Sequence, residues 1–187
     1  MKKTLITYIS QTGNTRKVAE SIFQAIPGNK ELKKLTDINS LDEYDLIFIG
    51  FPIYNFEPIR EAKDFIKNRL HGKKIAIFMT MSLTSAPSCE EISGLYKMTI
   101  SNCRECADGA NILGIFDSPG ELSEKTASAL LKSDDPQLRM FGMMRNYSIG
   151  FPNEKNLSDA KFFAKEIYSR FELACSGQEH ILSSNKT

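Results

Sequence analysis

Three short apolar runs, Lys3 to Ile9, Asp45 to Gly50 and Lys74 to Thr80, constrain this chain more than any other feature. Each is too brief for an ordinary helix and rich in β-branched or aromatic residues. They read as strands buried on both faces. Helical patterns stand between them. The first starts at about Thr15, with Val18, Ile22, Ala25 and Ile26 on one face, and Pro27-Gly28 stops it. The second is opened by Pro58 and carries Ile59, Ala62, Phe65, Ile66 and Leu70 as its apolar stripe. Strands that need cover on both faces, alternating with helices, predict a parallel sheet between two helical layers.

The remaining segments complete the pattern. Lys30 to Leu35 is interrupted by lysines and a glutamate, which suits an edge strand, where lysine discourages sheet-to-sheet pairing. A helix from about Cys89 to Ala107 leads to a fifth strand, Asn111 to Phe116, and a last helix spans Leu157 to Phe171. The expected fold is α/β, a doubly wound five-stranded parallel sheet with helices on both faces. One domain is expected over residues 1–172. Residues 117–156 form a long connection before the last helix, with helices near Glu121 to Lys132 and Pro136 to Arg145. The polar, serine-rich residues 173–187 are expected to be a flexible tail. Within the connection, Met140, Phe141, Met143 and Met144 make an apolar cluster. It is either a lid or partner surface, or ordinary packing of an added helix; methionine's usual role as a core filler favours packing.

With 41% hydrophobic and 25% charged residues, the chain has the balance of a globular protein. A net charge of +1 without any basic block argues against a nucleic-acid partner. No apolar run approaches the roughly 20 residues of a membrane helix, so no membrane insertion is expected. Met1-Lys2-Lys3 has the basic start of a signal peptide, but the apolar stretch after it is short and runs straight into a glycine loop. A cytoplasmic protein is expected. The four cysteines do not make a disulfide framework. Cys103 and Cys106 form a C-x-x-C pair that is either redox-active or part of the core. Ile92, Leu95, Thr99, Cys103 and Cys106 share helical spacing, which favours the core.

In a doubly wound sheet, ligands sit beyond the carboxyl ends of the strands where strand order reverses. Three loops lie there: Ser10 to Thr15, Phe51 to Glu57, and Met81 to Ser88. The first, Ser10-Gln11-Thr12-Gly13-Asn14-Thr15, joins a strand to a helix start, where free backbone N–H groups and the helix dipole favour an anion. Gly13 permits a sharp turn, and Ser10, Thr12 and Thr15 add hydroxyls. The loop has no lysine, so it is neither a G-x-x-x-x-G-K-[ST] phosphate loop nor a G-x-G-x-x-G turn. Neutral donors of this kind suit a terminal phosphate monoester bound without a metal.

The run Thr7 to Thr15 resembles the signature of the flavodoxin family, T/S-x-T-G-x-T before the first helix, and Gly50-Phe51-Pro52-Ile53-Tyr54 is similar to that family's G-x-P-x-Y segment. The likeness covers residues 3–116 well and the rest loosely. It implies FMN as cofactor, with the phosphate held by Ser10, Gln11, Thr12, Gly13, Asn14 and Thr15. The flavin ring is then expected between Pro52, Ile53, Tyr54, Asn55 and Phe56 on one side and Thr80, Met81 and Ser82 on the other. Tyr54 is the expected stacking residue, with Phe51 in the core. The family's usual glycine in the second loop is missing, and Asn55 is the nearest residue that tolerates a positive φ. No side chain is expected to be catalytic, and no metal site is expected. The resemblance implies electron transfer to or from a partner oxidoreductase. The alternative is an FMN-dependent NAD(P)H or quinone reductase, with residues 117–156 walling the substrate pocket. A regulatory module that has lost its flavin is disfavoured by the intact loop.

Overall fold

The computed structural model describes residues 2–177. It has six strands: β1 (Lys3–Tyr8), β2 (Asn29–Lys34), β3 (Leu46–Tyr54), β4 (Glu57–Pro58), β5 (Lys74–Met81) and β6 (Asn111–Pro119). Five of them run parallel in the order β2-β1-β3-β5-β6, and β4 pairs antiparallel with the end of β3. The direction in which strands are added reverses between β1 and β3, so the crevice for a ligand opens at their carboxyl ends.

The central strands hold the sheet. Leu46 to Phe51 and Ile75 to Met79 are buried without exception, and burial of each large apolar side chain is worth about 1.5–3 kcal/mol. Gly50 is dictated by packing: a Cβ there would lie 1.9 Å from the ring of Phe78, its ladder partner on β5. At the edge, charged β2 pairs only with β1, and Glu31 ties Lys3, Lys33 and the hydroxyl of Tyr44 together.

Among the described residues, seven α-helices accompany the sheet: α1 (Asn14–Ala25), α2 (Arg60–Arg69), α3 (Glu90–Cys106), α4 (Glu124–Leu131), α5 (Pro136–Met143), α6 (Arg145–Ser148) and α7 (Glu154–Cys175). One face of the sheet packs on α1 and α7 through Val18, Ile22, Ala160, Ala164 and Ile167. The other packs on α2 and α3 through Ala62, Phe65, Ile66, Cys103 and Cys106. Both thiols of the C-x-x-C pair thus face the core. Among the described residues, no helix is long and apolar enough to cross a membrane.

Several boundaries differ from the sequence expectation. Pro58 does not open α2. It belongs to β4, Ile59 is the N-cap, and the helix begins at Arg60. Strand β3 runs on past Gly50 to Tyr54, so Pro52, Ile53 and Tyr54 lie on a strand rather than in a loop. Strand β6 continues to Pro119, which shortens the long connection. Helix α7 is longer at both ends, because Asn153 and Asn156 form a reciprocal capping box at its start and the helix continues to Cys175. Residues 173–175 are therefore helical and not part of a tail; residues 178–187 lie outside the described residues.

Candidate functional site

The chain leaves β1 and turns into α1 through Gly13, which has a φ of 94° and precedes a helix start that no side chain caps. A residue with a Cβ would be strained at this angle, and nothing lies within 4 Å of where the Cβ would stand. The first turn of α1 therefore presents backbone donors to open space, the arrangement that favours an anion. Gln11 and Thr12 are exposed beside it, and the backbone N–H of Gly13 donates to Ser10 Oγ at 3.1 Å. Asn14 and Thr15 are already engaged: Asn14 Nδ2 donates to the carbonyl of Glu121 at 2.9 Å, and buried Thr15 shares a 2.8 Å hydroxyl contact with Thr80. The loop fits a phosphate monoester through backbone N–H groups and exposed Thr12 and Gln11, with Thr15 bracing the loop against β5.

A second feature adjoins the carboxyl ends of β3 and β5. Tyr54-Asn55-Phe56-Glu57 is a hairpin whose two central residues both have positive φ, 48° at Asn55 and 61° at Phe56. Two such residues in a two-residue loop are the mark of a type I′ turn. The turn is held on several sides. Asn102 Nδ2 donates to the Phe56 carbonyl at 3.0 Å, Phe56 meets Phe141 edge-on at 5.6 Å, and Lys63 pairs with Glu57. Ile53, Tyr54, Asn55 and Phe56 form one wall of a cavity of about 300 Å³, and Met81, Ser82 and Leu83 form another. Tyr54, 65% exposed, stands at its mouth.

The cavity is roofed by α4 and α5, which contribute Thr126, Leu130, Gln137, Leu138 and Phe141. Among the described residues, Tyr54 is the one lining residue with an ionisable side chain. Two lining hydroxyls are already occupied: Thr99 donates to the Leu95 carbonyl, and Thr126 bonds Ser123. The roof is anchored at its base. Arg145 pairs with Glu121 at 2.9 Å and also donates to the Leu122 carbonyl, while Glu121 accepts from the Gly150 N–H at 3.1 Å. Those contacts, the Gly150 N–H foremost, hold the Glu121 carboxyl below its usual range.

Of the residues singled out from sequence, Ile53, Tyr54, Asn55, Phe56, Met81 and Ser82 meet around this cavity. Pro52 and Thr80 are ladder partners just behind it, and the loop Ser10 to Thr15 is joined to Thr80 through Thr15. Phe51 is fully buried, as expected. Asn102 and Leu122 escaped notice, while Thr99 was read only as part of a core stripe and Phe141 only as part of an apolar cluster on an added helix. The methionine-rich cluster after Pro136 was the available signal, and it divides: Met144 is buried in the core, while Met143 is exposed.

The flavodoxin domain profile matches residues 5–165 of the chain. The chain is 28% identical over 179 residues to the flavodoxin-like domain-containing protein BilS of Clostridioides difficile (strain CD3), a match that covers 88% of this chain and 96% of that protein. It is 35% identical over 91 residues to a flavodoxin of Maridesulfovibrio salexigens, covering 42% of this chain and 62% of that protein. Its fold is similar to that of a solved flavodoxin from the domain Archaea, with a TM-score of 0.53 and 17% identity over 91% of this chain and 99% of that one. The chain belongs to the flavodoxin domain family, and FMN is the cofactor that goes with this domain.

Proposed function

We propose that the chain holds one FMN and passes electrons to or from a partner oxidoreductase. The observation that carries this reading is the uncapped, glycine-led start of α1, joined through the Thr15–Thr80 contact to the strand end beside the hairpin-walled cavity. The first-turn N–H groups of α1, with Thr12 and Gln11, hold the phosphate. Ile53 to Phe56 and Met81 to Leu83 clasp the ring, with Tyr54 against its face. FMN supplies the capacity to take up and release electrons; the protein supplies binding, orientation and the local electrostatics. Helices α4 and α5 keep water from one side of the ring.

A second reading, reduction of a small substrate, is favoured by the same roof. Among the described residues the walls carry no ammonium, guanidinium or carboxylate, so they suit an uncharged planar acceptor such as a quinone better than a phosphate-bearing nicotinamide dinucleotide. Purified protein is expected to show a flavin absorption spectrum and to prefer FMN over riboflavin. A charge-assisted hydrogen bond is worth about 1.5–3 kcal/mol, so Thr12→Ala should weaken FMN binding about ten- to a hundredfold and leave riboflavin unaffected. Equal losses for both ligands would refute the phosphate assignment. Oxidation of NADH or NADPH by the holoprotein, faster with a quinone and without any added protein, would replace electron transfer by the second reading.

A further inference from the structure

Gly120 and Glu121, which lead from β6 into the roof, lie directly on the start of α1. Asn14, the first residue of that helix, donates from Nδ2 to the Glu121 carbonyl at 2.9 Å, across 107 positions of sequence. Gly120 is pressed against the same spot: a Cβ there would lie 3.2 Å from both Asn14 Nδ2 and Thr80 Cβ. Its N–H donates at 3.1 Å to the carbonyl of Met81, a residue of the cavity wall. The far end of the roof returns to Glu121, whose carboxylate accepts from Arg145 Nη1 and from the Gly150 N–H. Between these ends α4 and α5 form one body, because a Cβ on Gly142 of α5 would stand 3.1 Å from the Ala127 carbonyl and the Leu131 nitrogen of α4. Asn14 is therefore joined to both ends of a compact roof, while its own backbone N–H is one of the free first-turn donors of α1.

We infer that Asn14 is a positioning residue that couples the phosphate loop to the roof, so that a phosphate held at the start of α1 also holds α4 and α5 closed over the cavity. This rests on the FMN reading above and deepens it. The anion restrains the first turn of α1 through its backbone N–H groups. The Asn14 amide carries that restraint to the Glu121 carbonyl, and Glu121 carries it to Arg145 and Gly150. One hydrogen bond transmits it, so the effect is bounded by what that bond contributes, a factor of about two to ten in an equilibrium. Such coupling is reciprocal: whatever phosphate does for roof closure, roof closure does for phosphate affinity, by the same factor. A flavin without its phosphate fills the cavity and forgoes this gain. The roof thereby adds to the preference for FMN over riboflavin.

Inorganic phosphate is the probe that separates the two regions, since it occupies the loop and leaves the cavity empty. Amide hydrogen exchange of the whole chain without flavin is followed at residues 12–17 and 121–151, with and without phosphate. Phosphate should slow exchange in both segments, the roof by about two- to tenfold. In Asn14→Ala, which keeps the backbone donor and loses the amide, the loop should still be protected and the roof should no longer respond. Arg145→Met supplies the reciprocal measurement. It loosens the roof without altering α1, and it should weaken phosphate binding by about the same two- to tenfold factor. Protection of the loop with no change in the wild-type roof would overturn the inference, as would equal roof protection in Asn14→Ala. Unaltered phosphate affinity in Arg145→Met would do the same. Absence of any protection at residues 12–17 would remove the anion site, and the inference with it. The FMN reading itself fails only if the wild-type protein takes up no FMN.

Discussion

The hydroxyls of Thr15 and Thr80 meet at 2.8 Å in a buried contact that bridges the first turn of α1 and the end of β5. Replacing one threonine by valine preserves shape and leaves the other hydroxyl buried without a partner. Either single variant, Thr15→Val or Thr80→Val, should destabilise the apo-protein by about 1–3 kcal/mol. The double variant should cost clearly less than the sum, because no orphaned hydroxyl is left. Urea unfolding of the four proteins measures this coupling. Strict additivity would show that the contact does not join the two elements.

Tyr54 combines high exposure with a place on the cavity wall. Stacking of an aromatic pair adds about 0.5–1.5 kcal/mol beyond area burial. Tyr54→Leu should therefore loosen FMN about two- to tenfold and partly restore the fluorescence of the bound flavin. Apo-protein stability should change by less than about 0.5 kcal/mol, as for other exposed positions. A variant indistinguishable from wild type in affinity and emission would remove Tyr54 from the ring site.

The C-x-x-C pair gives an opposite kind of prediction. Burial, reinforced by Cys106 nearby, pushes the Cys103 thiol up to about 12, and burial also raises Cys106 despite Lys67 and Lys63. Thiolate is the reactive form, so iodoacetamide at pH 8 should modify the exposed Cys89 and Cys175 in folded, reduced protein and leave Cys103 and Cys106 for the unfolded state. Mass spectrometry of the peptides reads the pattern. Rapid alkylation of Cys103 in folded protein would revive a redox role for the pair.

Acid should act on the sheet edge. Hydrogen bonds from Lys3, then Lys33 and the Tyr44 hydroxyl, hold the Glu31 carboxyl at about 2. An unfolded glutamate titrates at about 4.3. The depressed folded value means that this carboxylate stabilises the fold above that pH, and that its contribution disappears as pH falls through the folded value. Glu31→Gln should lower stability at pH 7 and flatten its decline between about pH 4.3 and pH 2. Because the side chain is 31% exposed, salt should shrink the difference. Parallel acid limbs for variant and wild type would disprove the assignment.

The core strands and the glycine loop were legible in the sequence because their signals are local: unbroken apolar runs, helical spacing, and a hydroxyl-rich turn at a helix start. The hairpin was not. Asn55-Phe56 lacks the Asn-Gly chemistry that marks a type I′ turn, and the side chains that meet Phe56, Asn102 and Phe141, are remote in the chain. Pro58 misled for the same reason, since proline suits the first turn of a helix as well as the end of a short edge strand. Thr15 was visible as a hydroxyl near the loop, but its partner lies 65 residues on, and only the fold shows that it braces β5.

The roof over the cavity starts and ends at one place. The backbone N–H of Glu121 donates to the Phe151 carbonyl at 3.1 Å, Leu122 donates to Ser148 Oγ at 3.1 Å, and Arg145 closes on Glu121. A detour whose ends already touch adds little to the entropy of closing the chain, and the cost of lengthening it grows only slowly with its size. Such a segment can be shortened, enlarged or exchanged without moving β6 against α7. The fold thereby separates two inheritances: a sheet platform fixed by its own core, and a helical canopy over the cavity whose length can vary apart from it.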